Sequence, residues 1–316
     1  MGTPEFAVPS LTALASRHEI SLVMTRRDKP AGRGRKLKPP PVKAEALRLG
    51  LRLLQTDDAN HPDVLARIGE MRPQVIAVVA YGCILKRSLL EMPGVAPVNL
   101  HASLLPKYRG VSPINRAIMD GETVTGVTTM RMDEGIDTGP MLLQERVEIA
   151  PGQTAGELGE ALAAVGAGLL LETVAGLEAG TITETPQDDS KATYAKKLKK
   201  SDGVVPWDKP PDRVVNHVRG VTPWPGAVTY FDGQALKVLE TAVLEGRGAA
   251  APGGEGAPSP EPGTITAVVE DGPVVAAGGG FVVLRTVCPQ GKRPMAGASW
   301  ARGKRDLVGR RFFSLA

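Results

Sequence analysis

Between Pro4 and Asp120 short apolar runs alternate with stretches of helical periodicity, and this alternation restricts the folds open to the chain. Glu19–Thr25, Val75–Ala80 and Val98–His101 read as short buried strands. Pro4–Ala15, Pro41–Leu49, His61–Met71 and Pro113–Asp120 read as helices, with prolines suited to a first turn. Strand and helix in turn imply an α/β fold on a parallel sheet. Thr125–Met132 and Met141–Ile149 alternate in polarity and are expected to pair antiparallel around the loop between them. Thr154–Leu177, rich in Ala and Leu at helical spacing, is expected to close this domain as one long helix.

A chain of 316 residues is long enough for one large or two ordinary domains. Aromatic residues make up only 4% of it, which predicts a core of Ala, Val, Leu and Ile. Cys83 and Cys288 lie far apart and form no metal-ligand spacing, so a disulfide framework is not expected and a reduced, cytoplasmic setting is. No apolar run is expected to reach the roughly 20 residues that span a bilayer. The first residues lack the basic-then-apolar order of a signal peptide.

Charge is unevenly placed. Residues 26–43 carry eight Lys/Arg against one acid, Asp28, and residues 191–316 carry eighteen against eleven. The remainder is acidic. An acidic body flanked by two basic segments suits a polyanionic partner gripped at its edges. Composition shifts near residue 180, which divides the chain into 1–180, a basic linker over 181–202 and a small β-rich domain over 203–316. Gly246–Gly263 is a low-complexity stretch read as a surface loop between two strands. No internal repeat, phosphate-binding loop, dinucleotide fingerprint or metal motif is present.

The chemistry concentrates in two octapeptides. Asn99-Leu-His-Ala-Ser-Leu-Leu-Pro106 sets Asn99 and His101 two residues apart, on one face of a strand and near its carboxyl end, where open parallel sheets bind ligands. Met132-Asp-Glu-Gly-Ile-Asp-Thr-Gly139 puts Asp137 in a glycine-bracketed loop that can fold back against that strand end. A lone strand histidine, or an Asp before Thr-Gly, is usually structural. Amide, imidazole and carboxylate together suit acyl transfer to a nucleophile carried by the substrate. Asn99 and protonated His101 would stabilise an oxyanion, and Asp137 would hold His101 and organise a water that removes the amine's proton.

The spacing N-x-H-x-S-L-L-P followed by D-x-G-x-D-T-G resembles that of the folate-dependent formyltransferases, and the likeness covers nearly the whole chain. It implies a Rossmann-like parallel-sheet catalytic domain over 1–180 and an OB-like β-barrel that binds tRNA over 203–316. It implies the same catalytic trio, a folate site lined by Ser103, Leu104, Leu105 and Pro106, and a pterin-receiving loop at Val78–Leu85 with Tyr81 and Gly82. Lys107-Tyr-Arg-Gly110 would set positive groups at the rim. Arg26–Pro39 resembles the PAGRG-K-x-L insertion of the members that act on methionyl-tRNA, and its Gly and Pro content is expected to keep it out of regular structure. Arg33, Arg35, Lys36 and Lys38 are therefore expected on tRNA. Lys197 and Lys200 would provide a second grip, joined by Arg302, Lys304, Arg305, Arg310 and Arg311. Arg219–Ala227 resembles the family's R-x-x-x-P-W-P-G-A signature; Trp224, between two prolines, reads as a core or hinge residue before a base-stacking one.

The implied activity moves a formyl group from 10-formyltetrahydrofolate to the α-amino group of initiator methionyl-tRNA, without metal, by a cytoplasmic monomer. Competing readings are a formyltransferase for an amino-sugar nucleotide or other small amine, a hydrolase of formyl-folate, and a catalytically silent RNA-binding protein. Family members usually carry a strand before Gly-Thr-Pro-Glu-Phe, whereas this chain starts Met1-Gly2-Thr3-Pro4-Glu5-Phe6. The native protein is therefore expected to begin upstream, and an intact mass matching 316 residues would overturn that.

Overall fold

The computed structural model describes residues 1–31, 36–244 and 259–313. Arg33, Arg35 and most of the low-complexity stretch lie outside the described residues. Two compact units form. The first holds 1–113, 124–148 and 158–196; the second holds 114–123, 149–157 and 197–316.

The strands of the first unit are β1 (Val23–Thr25), β2 (Lys29–Ala31), β3 (Lys36–Lys38), β4 (Leu53–Gln55), β5 (Val75–Val78), β6 (Ala96–His101), β7 (Arg109–Gly110), β8 (Val124–Arg131), β9 (Met141–Glu148) and β10 (Tyr194–Ala195). β1 pairs β4 in parallel, and β5 pairs β6 in parallel. β6 then pairs β8, and β8 pairs β9, both antiparallel. The sheet is thus mixed, not wholly parallel: β8 enters antiparallel to β6, and a loop returns it into β9 as the expected antiparallel pair. β2 and β3 pair antiparallel, so the flanks of the basic run are regular where irregular structure was expected. Cross-strand pairing overrides the local Gly and Pro signal there.

Helices α1 (Val8–Ala15), α2 (Pro41–Arg48), α3 (Pro62–Met71) and α4 (Arg87–Leu90) accompany these strands. α2 and α3 carry Pro in the first turn, and the His61 ring accepts the Asp63 N–H as a cap for α3. The long helix α6 (Ala155–Ala179) meets, by length and composition, the criterion for crossing a membrane, contrary to the expectation that no run would. Half of that window is buried in the protein; Leu158, Leu162, Leu169 and Leu170 are core residues, which explains its apolarity. Gly166 of α6 lies directly over Leu100 of β6, where a Cβ would come within 2.7 Å of Leu100 Cδ2. This close approach seats the strand that carries Asn99 and His101.

Met1 and Gly2 lie between β1 and β5. Gly2 bridges Val79 in parallel and donates its N–H to Met24 O at 3.0 Å. A cavity of about 500 Å³ opens beside them, lined by residues including Leu11, Leu22, Val75, Ile76 and Val174. Asn99, His101 and Asp137 are not among its lining residues.

The stretch expected as a linker does not run free at its start. Thr185 exchanges backbone hydrogen bonds with Met141, and β10 pairs β7 in parallel, so residues up to Lys196 belong to the first unit.

In the second unit α5 (Pro113–Asp120, from Ile114 onward) packs on α7 (Pro211–Gly220). Gly220 abuts Met119, and the Asn115 amide donates to Gly220 O at 2.7 Å. A mostly antiparallel sheet follows: β11 (Ala227–Phe231), β12 (Gln234–Val243), β13 (Ile265–Val269), β14 (Gly272–Ala277), β15 (Gly280–Pro289) and β16 (Met295–Ala296), then α8 (Gly297–Arg302). The strand order is β11-β12-β15-β14-β13, with β16 on β15. The core of this unit is not purely aliphatic. Trp207, Phe231, Trp300 and Phe312 cluster with ring centroids 5.2–5.8 Å apart. The few aromatic residues are concentrated here, while in the first unit a buried cluster around Ile68, Ile76 and Leu89 includes Tyr81 as its aromatic member.

His217 of α7 is buried with Nε2 unpartnered, and burial pushes its pKa down to about 4 from 6.5, opposed by nearby Asp202. The unfolded chain binds this proton near the ordinary histidine value; the native chain binds it only near the lowered one. The contribution to stability is therefore complete above that ordinary value and is lost progressively as pH falls toward 4, by as much as about 3 kcal/mol. Urea midpoints of the second unit measured between pH 7 and pH 4 are expected to fall. The His217→Leu variant is expected to flatten that dependence; an equally steep variant would assign it to other groups.

Candidate active site

Strand β6 sets Asn99 opposite Met130 and His101 opposite Thr128 on β8. The turn between β8 and β9 brings Asp137 back to the same strand end. Asp133 builds that turn: its Oδ1 accepts the Gly135 N–H at 3.0 Å and the Thr138 hydroxyl at 2.7 Å. Asp137 itself occupies the left-handed region, φ 55°, uncommon for a non-glycine residue.

The three predicted residues meet. Asn99 Nδ2 donates to Asp137 Oδ1 at 3.3 Å, and Asp137 Oδ2 lies 3.5 Å from His101 Nδ1. The Gly110 N–H donates to Asp137 Oδ2 at 2.8 Å. His101 Nε2 sits 2.9 Å from Tyr108 O. A carbonyl only accepts, so Nε2 is the donor there; Nδ1 faces a carboxylate. Both ring nitrogens thus face acceptor oxygens. Asn99 keeps a second amide hydrogen for another acceptor.

The 103–106 stretch divides by exposure. Ser103 is fully buried, its hydroxyl donating to Lys107 O at 2.6 Å, and Leu105 is buried; Leu104 and Pro106 are half-buried. Ser103 and Leu105 therefore shape the loop from inside. Thr128 accepts the Leu105 N–H at 3.2 Å and donates to Ser103 O at 2.6 Å, while the Gln144 amide donates to Thr128 Oγ1 and Leu105 O, each at 2.9 Å.

Tyr81 is buried in the first unit's core, where burial pushes its phenol up to about 12. Its side chain cannot serve as part of an open pterin platform; Ala80, Gly82 and Ile84 are the exposed residues of that loop. Arg109 is not at the rim either. It is 2% exposed and donates to Gln187 Oε1 and to Asp189 Oδ1. Periodicity could not show this, because Arg109 is held by partners far along the chain.

Of the basic residues, Lys38, Lys197 and Lys200 are exposed, and Lys36 begins β3. Arg26 pairs with Asp57 and Lys43 with Asp28; the Lys43 and Gln55 side chains hold the Asp28 carboxyl below its usual range. The C-terminal cations are largely engaged within the unit. Arg310 pairs with Asp232, Arg311 with Glu261, Arg302 donates to Ser299, and Lys304 lies over Phe231 and Trp300. Trp224 is 55% exposed, so it is not a core residue. Cys83 and Cys288 are both free, and the described residues contain no group of three or more His, Cys, Asp or Glu side chains arranged to hold a metal.

Residues 1–174 match the family Formyl transferase, and residues 197–305 match Formyl transferase, C-terminal domain. The chain therefore belongs to the formyl transferase family. Within it the chain falls among the methionyl-tRNA formyltransferases. It is 46% identical to the methionyl-tRNA formyltransferase of Symbiobacterium thermophilum over 99% of this chain and 94% of that one. Against that of Geobacter metallireducens it is 43% identical over 96% and 94%. Among solved structures it resembles a sugar 3N-formyltransferase determined in the presence of dTDP and 5-N-formyl-THF, with a TM-score of 0.65, 18% identity and coverage of 92% of this chain and 97% of that one. An N-formyltransferase from Helicobacter canadensis in complex with folinic acid and dTDP-3-aminofucose gives 0.63 at 17% identity, over 90% and 96%. These two likenesses are of fold.

Proposed function

We propose that this site transfers the formyl group of 10-formyltetrahydrofolate to the α-amino group of initiator methionyl-tRNA, in the cytoplasm. The observation that carries the reading is the convergence of Asn99, His101 and Asp137 at the end of β6, in a chain that belongs with enzymes named for that acceptor. The neutral amine attacks the formyl carbon and a C–N bond forms. Asn99, through its second amide hydrogen, faces the developing oxyanion, and His101, when protonated, adds its field. Asp137 receives the amine's proton, directly or through one water, and passes it to N10 of the folate as the C–N10 bond breaks. Leu104, Pro106 and Gly82 contribute the accessible part of the folate site, with Ser103, Leu105 and Tyr81 supporting it from within.

The acceptor reading rests on Lys38, Lys197 and Lys200, which are exposed, and on Arg33, Arg35 and Lys36 of the basic run. Such cations hold phosphate without reading sequence. Residues 1–180 would carry the chemistry and 203–316 an OB-like barrel. Support for closure comes from the tail, where Phe313 exchanges hydrogen bonds with Tyr230 of β11 and Arg311 bridges Thr264, just before β13. The tail thus touches both outer strands of the sheet.

The test is transfer of labelled formyl from 10-formyltetrahydrofolate, offered methionyl-tRNA and an amino-sugar nucleotide in parallel. Formylated methionyl-tRNA is the expected product. Label on the sugar alone, or label released only as formate, would overturn the reading.

A further inference from the structure

We propose that Gln187, acting with Arg109, is a positioning residue that sets the placement of Asp137; the inference deepens the proposed reaction and rests on it. Sequence patterning does not mark Gln187, which lies in the stretch Glu184-Thr-Pro-Gln187 ahead of the basic residues. Its amide is fully used. Nε2 donates to Asp137 O at 2.8 Å and to Gly139 O at 2.7 Å, while Oε1 accepts from Arg109 Nε at 3.0 Å and Nη2 at 2.9 Å. A guanidinium only donates, so the amide has one orientation: oxygen toward Arg109, nitrogen toward the turn. Arg109 is fixed in turn by burial and by Asp189 Oδ1 at 2.7 Å.

The connection closes on itself. Arg109 sits between Tyr108, whose carbonyl faces His101 Nε2, and Gly110, whose N–H holds Asp137 Oδ2. The main chain of 108–110 therefore grips the imidazole and the carboxylate, and the side chain of 109 reaches through Gln187 to the main chain of the same Asp137. A non-glycine residue at φ 55° persists when its surroundings over-determine it, and two carbonyl contacts from one amide do that here. A carboxylate released by one ångström loses its alignment with an attacking amine.

Gln187→Glu separates positioning from plain stabilisation. The glutamate still offers two acceptors to Arg109 and adds charge attraction, but it removes both donors and sets an anion against two carbonyls. With positioning, kcat for formyl transfer is expected to fall by about tenfold to a hundredfold while KM for the tRNA and the melting temperature hold. Exchange of the Gly110 amide hydrogen, followed by NMR, is expected to quicken about tenfold or more as its carboxylate partner drifts. Wild-type kcat and unchanged Gly110 exchange in a folded Glu variant would overturn the proposal. If Glu does not fold, Gln187→Met is read by the same exchange rate, with the same two outcomes. A wild-type chain that forms no formyl-methionyl-tRNA would defeat the reaction reading, and Gly110 exchange would still decide the clamp.

Discussion

Asp137→Asn is expected to lower kcat for formyl transfer by about 10²–10⁴-fold while leaving folate affinity and the melting temperature close to wild type. The carboxylate has three neighbours: Asn99 on one oxygen, Gly110 and His101 on the other. An asparagine of the same shape has one acceptor oxygen, so it can serve Asn99 or Gly110 but not both. It also brings an N–H₂ toward donors and removes the negative charge from beside the imidazole. The residue is only partly buried, its side chain 16% exposed, and the loss falls on the reaction more than on the fold. Single-turnover measurement with bound folate separates the chemical step from binding. A variant within about tenfold of wild type would remove Asp137 from the proton's path.

Phe312→Ala is expected to cost the second unit about 3–5 kcal/mol and to lower its melting midpoint by about 10 °C. Phe312 is 1% exposed and lies against the rings of Trp207, Phe231 and Trp300, so truncation leaves a cavity that three stiff aromatic groups cannot collapse into. It also anchors the tail, for the Phe312 N–H donates to Gly263 O and its neighbours Arg311 and Phe313 bridge Thr264 and Tyr230. Losing the ring loosens both edges at once. Urea unfolding followed by tryptophan fluorescence reads the effect, because Trp207 and Trp300 are contact partners. Phe313→Ala is the control: its ring is 54% exposed, and its removal is expected to stay within about 0.5 kcal/mol. Equal midpoints for the two variants would show that the aromatic cluster is not what holds this unit.

Sequence and structure agree where an element depends on local spacing. The pairing of Val124–Arg131 with Met141–Glu148, the long helix over Ala155–Ala179 and the prolines opening α2 and α3 all follow from periodicity and turn chemistry. The departures have a common cause. The sheet is mixed because β8 runs antiparallel to β6, and an apolar run does not encode the direction in which it joins a sheet. The flanks of the basic run pair because Lys29–Ala31 and Lys36–Lys38 satisfy each other's backbone groups, which a Gly and Pro count does not register. Ser103, Leu105 and Tyr81 lie inside the loops they belong to, a burial that the motif spacing does not encode. The second unit's aromatic core went unforeseen because the overall aromatic content says nothing about how those residues are distributed in space.

What the sequence determined by itself is the family and the set Asn99, His101 and Asp137 that comes together in it. Asn99 and His101 share a strand face by a spacing of two, and Asp137 follows from a turn written into eight residues; both relations are local and survive any arrangement of the rest. Tertiary structure alone decided how that set is held. Arg109 meets Gln187 across a separation of 78 residues, and Gln187 meets Asp137 across 50. Whether a cation faces solvent or an internal acceptor, and whether an amide holds a turn or dangles, depends on contacts between segments that no spacing rule connects.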